Sequence, residues 1–308
     1  MANRVVVVGS ANTDMVIRCP RIPRPGETVI GGEFFIAAGG KGANQAVAAA
    51  RLGAEVTFIA RLGADVFGDQ AIEGYRAEGI NVDAIIRDPN APSGVALIFV
   101  DQNTGENSIA VAAGANGRLT PDDISMAEAL IAKADVMLLQ LEVPVETVAA
   151  AVRIAHRQGV RVILNPAPAP DRDLPTGLLE GVEVLTPNQY EARVLAGLGS
   201  DAGYEAVADA LLKRGVKTVV MTLGADGAFV ASAQGATHVP GFKVTPVDTT
   251  GAGDAFNAGL AVALSYDPDD LPGAVRYANA VGALATTRAG AQPSLPTAAA
   301  VEALLTAN

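Results

Sequence analysis

A short stretch at positions 247–259 combines residue types that could carry out phosphoryl transfer. Gly251, Ala252 and Gly253 precede Asp254, and an Ala- and Phe-containing run follows. The glycines permit a sharp turn, and the first N–H groups of the helix predicted to begin there have no partner within it. Such a helix N-terminus is partly positive and suits a phosphate group. Asp254 would stay ionised there and could accept a proton, so the stretch pairs an anion hole with a general base. The alternative is a structural acid that only complements the helix dipole.

A second glycine-rich stretch, at positions 38–46, leads into an Ala-rich helix that we expect to reach Leu52. Lys41 suggests a Walker-type phosphate loop, but the pattern G-x-x-x-x-G-K-S/T fails because phenylalanines replace its first glycine and Gly42 replaces its last residue. Lys41 and Asn44 could instead donate hydrogen bonds to sugar hydroxyls. A plain glycine-rich helix entry is the alternative.

The β-branched run at positions 4–9 predicts a strand covered on both faces of a parallel sheet. No G-x-G-x-x-G pattern follows it, which argues against a nicotinamide dehydrogenase. Asn12 and Asp14 come next and would lie at the carboxyl end of this strand, where open α/β sheets bind ligands. Ordinary turn chemistry would explain both residues equally well.

Composition narrows the function further. The 308 residues carry a net charge of −11, which argues against nucleic acid or an anionic membrane surface as partner. One cysteine and two separated histidines exclude an intrachain disulfide and make a zinc site improbable. The sequence shows neither a signal-peptide pattern nor an apolar run long enough to span a bilayer, and we expect a cytoplasmic protein.

Alternating strand and helix patterns from position 122 onward predict an α/β fold with a doubly wound, mainly parallel central sheet and helices on both faces. Polar residues follow several of its predicted strands and would share one edge of the sheet: Glu142, Asn165, Asn188 with Glu191, and positions 222–227. The strands expected within 27–37, 94–100 and 107–112 do not fit the alternation. They predict a small separate β-sheet, formed by about 15–37 and 94–112, that acts as a lid on a single domain of residues 1–308.

Two stretches, at 39–46 and 248–254, together resemble the two signatures of the ribokinase (PfkB) family of carbohydrate and nucleoside kinases. Further stretches at 94–100, 105–107, 113–116, 165–168 and 290–294 resemble the ribose kinases of that family, so the likeness covers essentially the whole chain. It implies ATP-dependent phosphorylation of D-ribose at O5, giving ribose 5-phosphate and ADP, with Mg²⁺ required and K⁺ activating. It also implies a homodimer through the β lid.

The resemblance also implies roles for individual residues. Asp254 would be the base, and the N–H groups of Gly251, Ala252 and Gly253 the anion hole. The sugar hydroxyls would be held by Asn12, Asp14, Gly40, Lys41, Asn44, Glu142 and Asp254. The nucleotide and its metal–phosphate network would involve Asn188, Glu191, Thr222, Gly224, Gly227, Gly253 and Asn279. The K⁺ site would comprise Asp248, Thr250, Ala285, Arg288, Gly290 and Ser294.

Neither signature separates ribose from 2-deoxyribose, another pentose or a nucleoside such as adenosine. Outside the enzymes, a sugar-binding regulator of the same fold is the remaining alternative. The intact turn at 251–254 argues against it.

Overall fold

A computed structural model describes residues 3–307, which form two β-sheets and two layers of helices. The strands, in chain order, are β1 (Arg4–Val8), β2 (Asn12–Cys19), β3 (Glu33–Gly39), β4 (Glu55–Gly63), β5 (Ile85–Asp88), β6 (Gly94–Asp101), β7 (Asn107–Ala112), β8 (Val136–Leu139), β9 (Arg161–Leu164), β10 (Val184–Leu185), β11 (Thr218–Thr222), β12 (Ala228–Ser232) and β13 (Gly235–Val239). The helices are α1 (Lys41–Arg51), α2 (Val66–Ala77), α3 (Pro121–Met126), α4 (Glu128–Ile131), α5 (Val145–Gln158), α6 (Gln189–Ala196), α7 (Tyr204–Leu212), α8 (Ala252–Tyr266), α9 (Leu271–Ala285) and α10 (Ala298–Ala307).

The central sheet has nine strands in the order β13-β12-β11-β10-β9-β8-β1-β4-β5. Strand β1 pairs in parallel with β4 and β8, and β12 runs antiparallel to both of its neighbours. The side chains of β1 alternate between two layers: Val5 and Val7 pack with α1, α8 and α9, and Val6 and Val8 pack with α3 to α7. Because both faces of the sheet are covered, the prediction of a doubly wound α/β fold is confirmed.

Four strands form a separate small sheet in the order β3-β2-β6-β7. The pairs β2–β3 and β6–β7 are antiparallel, and β2 and β6 are parallel. The predicted strand region 27–37 was partly wrong, since a strand forms at Glu33–Gly39 and no strand covers 27–32. The action of this sheet as a lid remains a prediction.

Strand β2 was missed by the sequence interpretation. We expected Asn12 and Asp14 to lie in a loop after β1, but both belong to β2, where Asn12 pairs with Gly39 and Gly94. Asn, Thr and Asp favour turns locally, whereas pairing with two neighbouring strands overrides that preference here.

Other differences concern short or edge elements. Strands β5 and β13 were not predicted, and the helix expected from 122 to 132 is interrupted at Ala127 between α3 and α4. Helix α1 begins already at Lys41, after Gly40 with φ of 89°. Residues 240–251 form a loop, so α8 is preceded by a turn and not by a strand. Among residues 3–307, none of the helices combines the length and hydropathy that a membrane span requires.

Helices α8 and α9 approach closely because Gly259 faces α9. A Cβ atom at Gly259 would lie 2.8 Å from Val281 Cγ2 and 3.1 Å from Ala278 Cα. Contacts this short are not tolerated in a packed interior. The position of α8, which begins two residues before Asp254, therefore depends on a glycine in its middle.

We expect Gly259→Ala to lower the free energy of unfolding by about 1–3 kcal/mol because the added methyl group overpacks the α8–α9 contact. Gly74→Ala in α2 is the matched control, since a Cβ there meets nothing within 4 Å. It should raise the free energy of unfolding by about 0.4–1 kcal/mol through the lower entropy of the unfolded chain. Urea denaturation of both variants tests the pair, and an equal effect of the two alanines would contradict the packing argument.

Candidate active site

The turn before α8 has the backbone geometry that its glycines suggested. Gly251 is the N-cap residue in the left-handed region, with φ of 77°, and a Cβ there would lie 3.2 Å from Ala291 Cα. The Ala252 N–H donates to Thr249 O at 3.2 Å. Asp254 lies in the first turn of α8 and is 6% exposed. The structure thus holds a buried carboxylate at the positive end of a 15-residue helix.

The two glycine-rich stretches meet at Asp254. Asn44 Nδ2 donates to Asp254 Oδ2 at 2.9 Å, and Gln45 Nε2 donates to Oδ1 at 3.1 Å. Both donors belong to the first turns of α1. Each carboxylate oxygen is therefore held by a side-chain amide from the other signature stretch. Asn44 Oδ1 is buried and has no hydrogen-bond partner among the described residues.

The charge of Asp254 is balanced by its surroundings. Burial raises the pKa of this carboxyl, whereas Lys41 and the two amide donors act in the opposite direction, and the net shift is upward. Burial also disfavours the charged form of Lys41, but Asp254, Glu142 and Glu191 outweigh it and raise the Lys41 pKa. Lys41 thus remains a cation, and its charge favours the ionised form of Asp254.

Two further carboxylates lie on the side of the small sheet. Glu142 Oε2 accepts from Ser10 Oγ at 2.6 Å and from the Lys41 N–H at 3.1 Å. Burial and then the charge of Glu142 raise the pKa of Asp14 to about 6. A Cβ atom at Gly39 would lie 2.2 Å from Asp14 Oδ2, so this glycine leaves room for the carboxylate. Glu142 thus acts on both Lys41 and Asp14, and links Asp14 to the charged groups of the site.

Asn12 is oriented by Asn116, a residue to which we assigned no role from the sequence. Asn116 Nδ2 donates to Asn12 Oδ1 at 2.8 Å and to Ala11 O at 3.0 Å, and Asn116 Oδ1 accepts from the Ala11 N–H at 2.9 Å. A Cβ atom at Gly94 would lie 2.2 Å from Asn116 Nδ2. Asn116 is buried, and its hydrogen bonds to Ala11 and Asn12 fix the start of β2. Its inclusion in the 113–116 stretch was the one signal that the sequence offered.

A cavity of about 450 Å³ lies on the other side of the α8 N-terminus. Its lining contains five of the residues predicted to hold the nucleotide, namely Thr222, Gly224, Gly227, Gly253 and Asn279. Ala252 also lines the cavity, and Asp254 comes directly after Gly253 in the sequence. Asn279 Nδ2 donates to Val239 O at 3.1 Å and to Pro240 O at 3.2 Å, so its amide also fixes the loop after β13.

Asn188 and Glu191 are not among the residues that line this cavity. They form a capping box at the start of α6: Asn188 Oδ1 accepts from the Glu191 N–H at 2.9 Å, and Glu191 Oε2 accepts from the Asn188 N–H at 2.8 Å. Burial raises the pKa of Glu191, and Lys41 opposes that shift. Asn188 and Glu191 therefore cap helix α6, and Glu191 also adds negative charge near Lys41.

The residues predicted for the K⁺ site lie on the loop before α8 and from the end of α9 into the loop that follows it. Asp248 Oδ1 accepts from the N–H and Oγ1 of Thr250, at 2.9 and 2.7 Å, and Asp248 Oδ2 accepts from the Gly290 N–H at 2.8 Å. These hydrogen bonds outweigh the effect of burial and lower the Asp248 pKa. Ala285 ends α9, Arg288 is exposed, and Ser294 is buried. Carboxylate, hydroxyl and carbonyl oxygens of these loops are chemically suited to a weakly hydrated monovalent cation.

Within residues 3–307, no group of three or more His, Cys, Asp or Glu side chains is arranged to hold a metal ion. The carboxylates at the site instead surround Lys41. This donor set does not form a protein cage for a divalent cation.

Comparison with known proteins identifies the family of the chain. The model of the pfkB family carbohydrate kinases matches residues 2–298. The chain is 42% identical to a ribokinase of Haemophilus influenzae, with 96% of each protein covered, and 37% identical to a deoxyribokinase of Salmonella typhi, with 95% of each covered. The structure of Arabidopsis thaliana ribokinase complexed with ribose and ATP superposes with a TM-score of 0.89 at 34% identity, covering 99% of both chains. On the family match and on these identities, the chain belongs to the pfkB family of carbohydrate kinases.

Proposed function

We propose that this protein transfers the γ-phosphoryl group of ATP to O5 of D-ribose, giving ribose 5-phosphate and ADP. The observation that carries the proposal is the position of Asp254. Its carboxylate is buried at the start of α8, with the amides of α1 on one side and the cavity lined by Ala252 and Gly253 on the other. The similarity to ribokinases over nearly the full length supports ribose and ATP as the substrates.

Several side chains with complementary chemistry would bind the sugar. Asp14 and Glu142 accept hydrogen bonds from hydroxyl groups, and a carboxylate can grip two adjacent hydroxyls at once. The Lys41 ammonium group and Asn44 supply donors. Asn44 Oδ1 is a buried acceptor without a partner among the described residues, and such an atom gains most from a hydroxyl donor.

Asp254 would act as the general base. In the structure Asn44 occupies its Oδ2 atom, so the O5 hydroxyl of the sugar would take the place of that amide and donate to Oδ2. The carboxylate then removes the hydroxyl proton as O5 attacks the γ-phosphorus. Burial raises the pKa of Asp254 and makes its carboxylate a stronger proton acceptor, while Lys41 favours the ionised form that accepts the proton.

The positive end of α8 would stabilise the transferring phosphoryl group. The N–H groups of Gly251, Ala252 and Gly253 would form the anion hole, and Ala252 exchanges its contact with Thr249 O for the phosphoryl oxygens. This local positive potential matters because the net charge of −11 repels ATP.

ATP would lie in the 450 Å³ cavity, beside Thr222, Gly224, Gly227 and Asn279. Mg²⁺ would be held by phosphate oxygens and water, since this ion usually keeps several waters and needs few protein ligands. Asn188 and Glu191 would reach it through water. Mg²⁺ would neutralise the charge of the phosphates. K⁺ bound by the loops at 248–250 and 285–294 would stabilise the turn that shapes the anion hole.

The small sheet would close over the sugar as a lid and exclude water. Both faces of this sheet carry exposed apolar side chains: Phe34, Ile36 and Leu97 lie on one face, and Phe35, Ile109 and Val111 lie on the face of Asp14. A lid of a monomer would present a polar outer face. We therefore propose a homodimer through this sheet. We also propose a cytoplasmic location for the enzyme.

Sedimentation velocity over a range of protein concentrations tests the dimer. We expect the mass of two chains, and we expect Leu97→Glu to shift the protein toward the monomer because a charge would be buried in the contact. Met126→Glu, on α3, is the control at another exposed apolar side chain, outside the sheet. A monomer at all concentrations would contradict the proposed homodimer.

The activity itself is tested by measuring ADP formation with Mg-ATP and D-ribose, with K⁺ or Na⁺ as the sole monovalent cation. We expect turnover with ribose and faster turnover with K⁺ because the larger ion suits the oxygen-rich loops. The same assay with 2-deoxyribose and adenosine covers the alternatives. Preference for either of them would change the substrate and keep the mechanism, and binding of ribose without turnover would indicate a regulator.

Asp254→Asn should lower kcat by about 10²–10⁴-fold, since it removes the base without changing the shape of the side chain. Asn44 can turn its unpartnered Oδ1 toward the new amide, so KM for ribose should change little. Asp267→Asn is the matched control, being the same exchange at an exposed position at the other end of α8. Steady-state kinetics of both variants decide the matter, and an unchanged kcat in Asp254→Asn would exclude Asp254 as the base.

A further inference from the structure

A chain of buried side-chain amides lies behind Asp254, on the side away from solvent. Gln45 and Gln140 are both 0% exposed, and Asn165 is also buried. Gln140 Nε2 donates to Gln45 Oε1 at 2.6 Å, Gln45 Nε2 donates to Asn165 Oδ1 at 3.3 Å, and Asn165 Nδ2 donates to Thr186 O at 3.0 Å. The chain links helix α1 to the residues that follow β8, β9 and β10.

This chain determines which end of the Gln45 amide faces Asp254. Asn165 Nδ2 donates to Thr186 O, so Asn165 presents its Oδ1 to Gln45. Gln45 Nε2 donates to that oxygen and to Asp254, while Gln45 Oε1 accepts from Gln140. The reversed amide would set an oxygen against both the Asp254 carboxylate and Asn165 Oδ1, which are two buried repulsions. Gln140 fits because a Cβ at Gly9 would lie 2.0 Å from its Oε1, so the glycine after β1 provides the space.

The two amides that hold Asp254 differ in how firmly they are fixed. Asn44 has one unpartnered oxygen and belongs to the proposed sugar site, so a substrate hydroxyl can replace it at Oδ2. Gln45 is fully buried, its oxygen and nitrogen both have partners, and it holds Oδ1. The carboxylate therefore has one exchangeable oxygen and one anchored oxygen.

We infer that Gln45 is a positioning residue for the reaction. Its N–H anchors Asp254 Oδ1, so that Oδ2 faces the hydroxyl group of the sugar when Asn44 gives way. This inference rests on the proposed role of Asp254 as the base. Gln45 acts through Asp254 and has no contact with the substrate.

Gln45 also contributes to the charge state of the base. Lys41 from α1, Glu142 after β8 and Glu191 on α6 are the charged groups that act on Asp254 or share its surroundings. Lys41 and the amide donors Asn44 and Gln45 favour the carboxylate, whereas Glu142 opposes it. Loss of the Gln45 N–H would therefore raise the pKa of Asp254 further. The acid limb of kcat against pH would move to higher pH.

Gln45→Met keeps the size of the side chain and removes its hydrogen bonds. We expect kcat with ribose and Mg-ATP to fall by about 10²-fold, because a misplaced base loses much of its effect. KM for ribose should change little, since Gln45 does not touch the sugar. The acid limb of kcat should shift to higher pH. Thr147→Val is the control, since it removes one buried hydrogen bond, to Leu119 O, on the other face of the central sheet.

Comparison of Gln45→Met with Thr147→Val separates an effect on the position of Asp254 from a general loss of protein stability. Both should lower the melting temperature, but Thr147→Val should leave kcat, KM and the pH profile unchanged. A folded Gln45→Met protein with normal kcat and an unshifted acid limb would overturn the inference. If Gln45→Met does not fold, Gln140→Met gives the same measurement with a smaller expected loss of kcat, and an unchanged kcat there would also overturn it. Failure of the proposed function itself is distinguishable, because the native protein would then show no turnover with ribose.

Discussion

A negative charge buried at the start of α8 is the constraint on which the rest of the structure depends. An ionised carboxylate away from water is several kcal/mol unfavourable unless charges and donors compensate it. Here the compensation comes from a second helix: Asn44, Gln45 and Lys41 all belong to the first turns of α1. Helices α1 and α8 must therefore begin at the same edge of the sheet and at close range. The glycines at 39, 40 and 42 let the start of α1 pack closely against residues 9–14, and Gly251 lets the start of α8 pack against Ala291.

The central fold was readable from the sequence because its signals are local. Runs such as 5–8 and 218–222 are β-branched and buried, and the helices between them end at glycines such as Gly159 and Gly197, both left-handed. The convergence of the two glycine-rich stretches was implied by the family resemblance, which assigned residues of both to the sugar, and did not follow from local patterns. What failed was β2, whose polar residues favour a turn and form a strand only through pairing with β3 and β6. The pairing with β6 joins residues more than 80 positions apart and leaves no local pattern.

The residues of the candidate site were predictable from the sequence, but the hydrogen bonds that join them were not. Asp14, Lys41, Asn44, Glu142 and Asp254 were named from the sequence, and the structure brings their charges and hydrogen bonds together. Gln45, Gln140 and Asn116 were not singled out, because a buried amide resembles any polar helix or loop residue until its partners are known. The capping box of Asn188 and Glu191 shows the converse: an Asn followed three residues later by a Glu is itself a local signal for a helix start, and the structure contains that cap.

The division of the site between two sheets has a consequence for how this fold can change over evolutionary time. Asn12 and Asp14 belong to β2 of the small sheet, whereas Asp254 and its amide donors belong to helices that pack on the central sheet. On the proposed assignment, substitutions in β2 alter the contacts to the sugar without disturbing the base or the phosphate-binding turn. A change of preference among related sugars can then begin in a strand that is separate from the groups proposed for the chemical step.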